Sequence, residues 1–356
     1  MEEHTQLVAL TRLLLVGALA ACAACGSNSD SEASPEILSG LILYEEFQQG
    51  LFVVTAAGTA KRRVVRELGV PDGGISDAAW SPDGKRLAYF QWNLGLFVAR
   101  WDGARPIRIV PGSMYAWGAN RLTWSPDGRR IAFSGDQGLY VTVLATKRTR
   151  HVLRGPISDR VDWSPNGRRI AFAVHAGPLR GLWTISPDGR SRRRLVAGEG
   201  IELSRSAWAP DSRQLVYKQE FITDDYQVMD EIYAVAANGT RRRALTDATE
   251  SIHTPPLWSP RGARIVYSVQ LNCGGPDEQG EYCVRESLIV RSVERPQDRT
   301  ALDAGSGSSG PVWSPEGSWL AFTNDSLGLV IAQPVSAQAR VVSGALPEAL
   351  GWRSGP

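Results

Sequence analysis

Beyond His4, the chain carries three histidines, His151, His175 and His253, each in a different segment. Acyl transfer by a serine hydrolase would need one of them beside an exposed nucleophile, and no Gly-x-Ser-x-Gly elbow occurs. A metal-dependent lyase or lactonase would gather several His and carboxylate side chains on one ion. Here only His253 and Glu348 fall on segments that could meet, and two ligands do not complete a site. The expectation is that no cofactor and no metal is bound, and the balance leans away from an enzyme.

Carboxylates are richer. Residues 219–230 contribute Asp224, Asp225 and Asp230, with Glu231 directly after, and residues 270–286 contribute Asp277, Glu278 and Glu281. Such a set suits a cation or a basic partner; the alternative is ordinary solvated loop charge. Cys273 and Cys283 flank nine residues of the second segment, and if the chain is exported to an oxidising compartment a disulfide staple is expected there, a zinc pair being the lesser option. A net charge of +2 supplies no field for a polyanion, so nucleic acid is not an expected partner.

The elements that must position these residues are announced by a repeated phrase. Trp-Ser-Pro-Asp-Gly starts at Trp80 and Trp124, and variants start at Trp163, Trp208, Trp258 and Trp313. Successive tryptophans stand 44, 39, 45, 50 and 55 residues apart, and Trp352 follows the last by 39. A mean period near ~45 residues is that of four-stranded propeller blades. In each unit an apolar strand ends at Ser-Pro and turns on Asp-Gly or Asn-Gly, where positive φ angles are expected of a tight hairpin. A second strand rich in β-branched and aromatic residues follows, as in RRIAFA from Arg168. Third strands such as GLYVTV from Gly138 and arginine-rich fourth strands complete the unit. Charge on the outermost strand is expected to block edge-to-edge pairing.

These repeats resemble the PD40, or WD40-like, repeats of TolB-type propellers over residues 41–353. The resemblance implies an all-β fold: a seven-bladed β-propeller of four-stranded antiparallel blades, with six blades as the alternative. Three strands precede Trp80 without a Trp strand, and a lone Trp352 segment ends the chain. Residues 347–353 are therefore expected to complete the first blade from inside and close the ring. Three residues before each repeat Trp stand Asp77, Arg121, Arg160, Arg205, Pro255, Gly310 and Ala349. If their side chains face the pore, the three arginines could hold an anion there; the alternative is a water-filled pore with internal pairs.

Residues 13–21 form a nine-residue apolar run that is too short to span a bilayer and reads as a signal peptide over 1–21. Leu19-Ala20-Ala21-Cys22 resembles the lipobox of bacterial lipoproteins, which implies acylation at Cys22, with Cys25 as the alternative. Residues 22–40 are small and polar and read as a flexible linker to the propeller. The TolB resemblance implies an exported protein that docks partners at the cell envelope. The reading is thus a lipid-anchored, extracytoplasmic, non-catalytic scaffold for an envelope protein or glycan. A pore-based carbohydrate or small-molecule enzyme of lyase or lactonase type is the alternative.

Overall fold

The computed structural model describes residues 40–354 apart from 47–48, 67–73, 113–121, 136, 156, 158–159, 175–176, 199–201, 223–227, 248–249, 277–281, 306–307, 325, 337 and 344–347. For strand residues 202–205, 222, 228, 271–276, 282–285, 303–305, 308–309, 343 and 348–349 it describes the backbone alone. Cys22 and Cys25, with the expected signal peptide and almost all of the linker, lie outside the described residues, as do Arg121, His175, Asp224, Asp225, Asp277, Glu278 and Glu281.

Each repeat phrase builds its own turn. In the first, Ser81 Oγ donates to Asp83 Oδ1 at 2.5 Å and accepts the Arg86 N–H at 2.9 Å, while the Gly84 N–H reaches Ser81 O at 2.8 Å. The Ser81 hydroxyl holds the Asp83 carboxyl below the usual carboxylate range. Only the final residue of the turn is left-handed, with φ of 66° at Gly84 and 63° to 75° at Gly128, Gly167, Gly262 and Gly317. The expectation of positive φ at both Asp and Gly therefore fails: neither Pro82 nor Asp83 has a positive φ, and with the Gly84 N–H bonded to Ser81 O this is a type I turn. Ser212 occupies the glycine position of the fourth copy at φ 60°, and its Oγ accepts the Asn166 N–H of the preceding blade at 3.0 Å.

Strands then alternate without an α-helix among the described residues, and they assemble into seven antiparallel sheets. Blade 1 contains β1 (Leu41–Glu46), β2 (Gly50–Thr55) and β3 (Arg62–Arg66), and its inner strand is β29 (Glu348–Arg353) from the other end of the chain. Leu41 pairs with Arg353 and Ile42 with Trp352, so the expected closure is observed. Blades 2, 3 and 4 run in order through β4–β7 (residues 75–111), β8–β11 (122–154) and β12–β15 (161–197). Blade 5 comprises β16 (Glu202–Trp208), β17 (Gln214–Ile222), β18 (Val228–Ala236) and β19 (Arg243–Ala244). In blade 6 the inner strand is split into β20 (Ser251–Ile252) and β21 (Leu257–Trp258), both paired with β22 (Arg264–Pro276); β23 (Tyr282–Ser292) and β24 (Arg299–Gly305) follow. Pro255 and Pro256 lie in the break, where they cannot donate to the ladder. Blade 7 is β25–β28 (residues 308–343).

The apolar core lies in the seams between blades. Phe90, Leu96 and Val98 of blade 2 pack with Trp124, Ile131 and Phe133 of blade 3, and Val216 and Ile232 of blade 5 pack with Trp258 and Tyr267 of blade 6. Indole N–H groups add a staple: Trp124 Nε1 donates to Ala79 O at 3.1 Å, Trp208 to Asp162 O at 3.2 Å and Trp258 to Ala207 O at 3.0 Å. In these three units the repeat tryptophan thus bonds to the residue before the preceding repeat tryptophan. Arginines also cross seams. Arg86 and Arg130 lie over the indoles of Trp124 and Trp163 at 5.0 and 4.9 Å. On the outer strands, Arg193 donates to Asn238 O, Arg243 to Val293 O and Arg340 to Ala56 O, each in the next blade. The outer charges therefore join blades, a role beyond the expected blocking of sheet edges.

Candidate recognition site between the fifth and sixth blades

The described parts of the two acidic segments, 219–230 and 270–286, are sheet. β17 and β18 stay in register to Phe221↔Met229 and Ile222↔Val228, and β22 and β23 to Leu271↔Arg285 and Asn272↔Val284. Both hairpins continue blade strands at the end opposite the Ser-Pro-Asp-Gly turns. The described parts of both acidic segments are therefore strand, because β-branched and aromatic residues carry the ladder to Ile222 and Val284. Cys273 and Cys283 follow one step beyond the last regular pair; their side chains lie outside the described residues.

Beneath these hairpins, a group of charged side chains joins the two blades. Lys218, 8% exposed, sits at a position in the second strand taken by Phe90, Ser134, Ala173, Ser268 and Thr323 in the other Trp-led units. Its ammonium lies 2.9 Å from Glu220 Oε1 and 3.2 Å from Asp230 Oδ1, and donates to Ile252 O across the seam at 2.8 Å. The Ile252 N–H in turn donates to the Asp230 carboxylate. One ion pair therefore engages both main-chain groups of Ile252. Burial raises the Asp230 carboxyl above the usual range, and Lys218 opposes that rise.

His253 follows at once. Its main-chain N–H reaches Ser268 O at 2.9 Å, and the next residue, Thr254, takes the Ser268 N–H on its hydroxyl at 2.8 Å. The imidazole Nδ1 is hydrogen-bonded to Glu286 Oε1; that carboxylate side chain is 3% exposed, whereas the ring is 59% exposed. A buried carboxylate on Nδ1 orients the ring and leaves Nε2 as the free edge. The expected partner, Glu348, is a backbone position in β29, its side chain outside the described residues.

The other expected site residues separate. Asp230 stands in the blade 5–6 wall, and Glu231 accepts the Tyr233 hydroxyl, so neither is a free loop charge. Asp77, 8% exposed, takes the Leu122 N–H of blade 3 on Oδ2 at 2.7 Å, where a main-chain amide at the seam needs an acceptor. Arg160 lies near Asp162, and Arg205 is in β16 with its side chain outside the described residues. His151 stacks on Tyr140 at 4.4 Å and bonds Gln137 O at 2.9 Å, within its own blade. Among the described residues no three His, Cys, Asp or Glu come together as a metal set.

Lys218, Glu220 and Glu286 were not expected from the sequence. Lys218 had a readable signal, a lone charge among the second-strand positions just named. Glu286 had none, since its partner lies 33 residues away on a strand broken by prolines.

Among curated proteins, the uncharacterized peptidase YuxL of Bacillus subtilis (strain 168) is 26% identical over 141 residues, 33% of this chain. The match spans 21% of that protein's length. Among solved structures, oligogalacturonate lyase from Vibrio parahaemolyticus superposes with a TM-score of 0.61 at 14% identity, covering 84% of this chain and 92% of that one. TolB from Acinetobacter baumannii gives 0.50 at 14% identity, covering 87% and 81%. These structural likenesses are likenesses of fold. Residues 91–351 match the family model described as PD40, TolB beta propeller domain, and the chain belongs to that family.

Proposed function

We propose that this propeller is a recognition module that binds a protein partner on the face carrying the extended hairpins of blades 5 and 6. The observation behind this reading is the pair of adjacent ladders, Phe221↔Met229 and Asn272↔Val284, standing over the charged Lys218–Asp230 and His253–Glu286 groups. Extended sheet gives side chains a rigid frame, and preorganised side chains lose less entropy on association. Buried ion pairs seldom raise stability over apolar packing, so their concentration at this seam fits recognition better than folding.

The module is read as exported and held at the outer surface of a membrane by a lipid on Cys22, which rests on the apolar run and the cysteine that follows it. A Cys273–Cys283 disulfide would pin the tip of the blade 6 hairpin in such a compartment. The test uses the full-length protein, solubilised from membranes, as bait. Neutralising Asp224, Asp225, Asp277 and Glu278 together should leave folding intact and weaken capture of the partner, with less sensitivity to salt. Unchanged capture by the quadruple variant would refute the placement of the face.

A further inference from the structure

The seam between blades 4 and 5 differs from the three before it. At those three an arginine lies over the next indole: Arg353 over Trp80 at 4.9 Å, Arg86 over Trp124 at 5.0 Å and Arg130 over Trp163 at 4.9 Å. Arg169 holds the strand position of Arg86 and Arg130, but its guanidinium reaches Ser191 O and Oγ instead, both at 3.3 Å. Ser212 stands where the neighbouring turns have glycine. A Cβ at Gly128 would come within 2.9 Å of Arg86 Nη2, and one at Gly84 within 3.2 Å of Arg353 Nη1. A side chain at this position pushes a stacked guanidinium aside, and Ser212 thereby keeps Arg169 off Trp208. What opens is a cavity of about 360 Å³ on the Ser-Pro-Asp-Gly face.

The polar groups left over in that cavity are donors. Asn166 replaces the turn aspartate seen at Asp83, Asp127 and Asp211, and its Oδ1 is already taken by the Ser164 hydroxyl at 2.9 Å and the Arg168 N–H at 3.0 Å, which leaves its amide hydrogens to give. Ser212 Oγ accepts the Asn166 N–H and keeps its own hydrogen. Arg130 has Asp127 Oδ2 at 3.6 Å, whereas among the described residues neither Arg168 nor Arg169 has a carboxylate partner. The surroundings carry the same sign: residues 121–198, which hold blades 3 and 4, contain 15 Lys+Arg against 5 Asp+Glu, a formal +10 in a chain of +2. Trp208 and Ala237 complete the lining with apolar surface.

From this geometry we propose that the cavity binds a small organic anion, a carboxylate carried on an apolar body. Arg169 and Arg168 take the carboxylate, Asn166 and Ser212 add hydrogen bonds, and the body lies along Trp208 and Ala237. A guanidinium fork matches a carboxylate bidentately, and the basic sector raises the local concentration of anions. The cavity is of the size that holds a small molecule, and a bare oxyanion would leave its apolar wall to water. This site is at the opposite end of the blades from the recognition face and does not depend on it.

The experiment titrates benzoate against the full chain at pH 7.5 in low salt by saturation-transfer NMR, with acetate, inorganic phosphate and benzyl alcohol as competitors. Benzoate should saturate one site. Each competitor lacks either the ring or the charge and should need at least about tenfold more to displace it. Arg169→Gln should weaken benzoate about tenfold, the scale of one charge-assisted pair. Arg129→Gln, which removes the same charge from the blade 3 turn, should change it by less than about twofold. Ser212→Gly and Asn166→Asp each install the residue found in other copies of the turn, so both keep the fold, which circular dichroism establishes. The first lets Arg169 return over Trp208, the second puts a carboxylate into the cavity, and each should abolish benzoate binding. Acetate, phosphate or benzyl alcohol competing as well as benzoate itself would overturn the inference. So would equal losses in Arg129→Gln and Arg169→Gln, or undiminished benzoate binding by Ser212→Gly or Asn166→Asp protein.

Discussion

Asp162 and Trp208 are joined twice across the seam between blades 4 and 5. The Asp162 carboxylate takes the Trp208 main-chain N–H at 2.8 Å, and the Asp162 carbonyl takes the Trp208 indole N–H at 3.2 Å. Burial pushes the Asp162 carboxyl up to about 6, against the pull of the Trp208 main-chain N–H, of Arg160 and of the Trp163 main-chain N–H. A carboxyl raised in the fold above its unfolded value stabilises the fold at low pH and loses that contribution as pH rises through the folded value. Wild type should therefore lose stability between pH 4 and pH 7, by about 2 kcal/mol from this group. Asp162→Asn should flatten that interval. Chemical denaturation at pH 4.5, 6 and 7.5 measures it, and an equally steep decline in the variant would contradict the assignment.

Closure of the ring predicts a second result. β29 pairs with β1, Trp352 is buried, and Arg353 lies 4.9 Å over the Trp80 indole of blade 2. Removing residues 347–356 exposes the inner edge of β1 and an apolar seam. The truncated chain should aggregate or unfold many degrees lower in a thermal scan. A melting transition equal to that of the full chain would exclude β29 as the closing strand.

The Lys218 ion pair makes a distinctive stability prediction. Lys218→Ala strands Asp230 and Glu220 and should cost about 3 kcal/mol, the usual scale for breaking a buried pair from one side. The double change Lys218→Met with Asp230→Leu should recover most of that loss while impairing partner binding. Recovery of both stability and binding would show that the pair only supports the fold.

The cysteines supply a fourth. Asn272↔Val284 is the last regular pair before them, which puts the Cys273 and Cys283 backbones at consecutive positions on facing strands. Protein exported to an oxidising compartment should show both thiols blocked to alkylation until reduced, and Cys273→Ser with Cys283→Ser should leave the hairpin tip open to faster amide exchange. Two free thiols in native exported protein would remove the staple.

What the sequence disclosed follows the range of the interactions. The Ser81–Asp83–Gly84 turn is made within a few residues, so its six copies and their period are visible as text, and counting strands before Trp80 and after Trp313 is enough to place Trp352 in blade 1. Lys218 meeting Ile252, or Asp77 meeting Leu122, depends on how one blade is rotated onto the next, and no local pattern encodes that. The fourth-strand arginines misled for the same reason: their partners, such as Asn238 O for Arg193, lie about one repeat away in the next blade. Hairpin extension at Phe221 and Met229 was hidden because the acidic residues between them read as loop.

Placement of the recognition face on the blade 5 and 6 hairpins is tested most directly by photo-crosslinking in living cells. A benzophenone amino acid is placed in turn at Phe221 and Met229 on the blade 5 hairpin and at Arg129 and Arg168 on the opposite face, and adducts are separated by mass. Discrete adducts to one protein from Phe221 and Met229, and none from Arg129 or Arg168, are the predicted result. Adducts confined to Arg129 and Arg168 would contradict it.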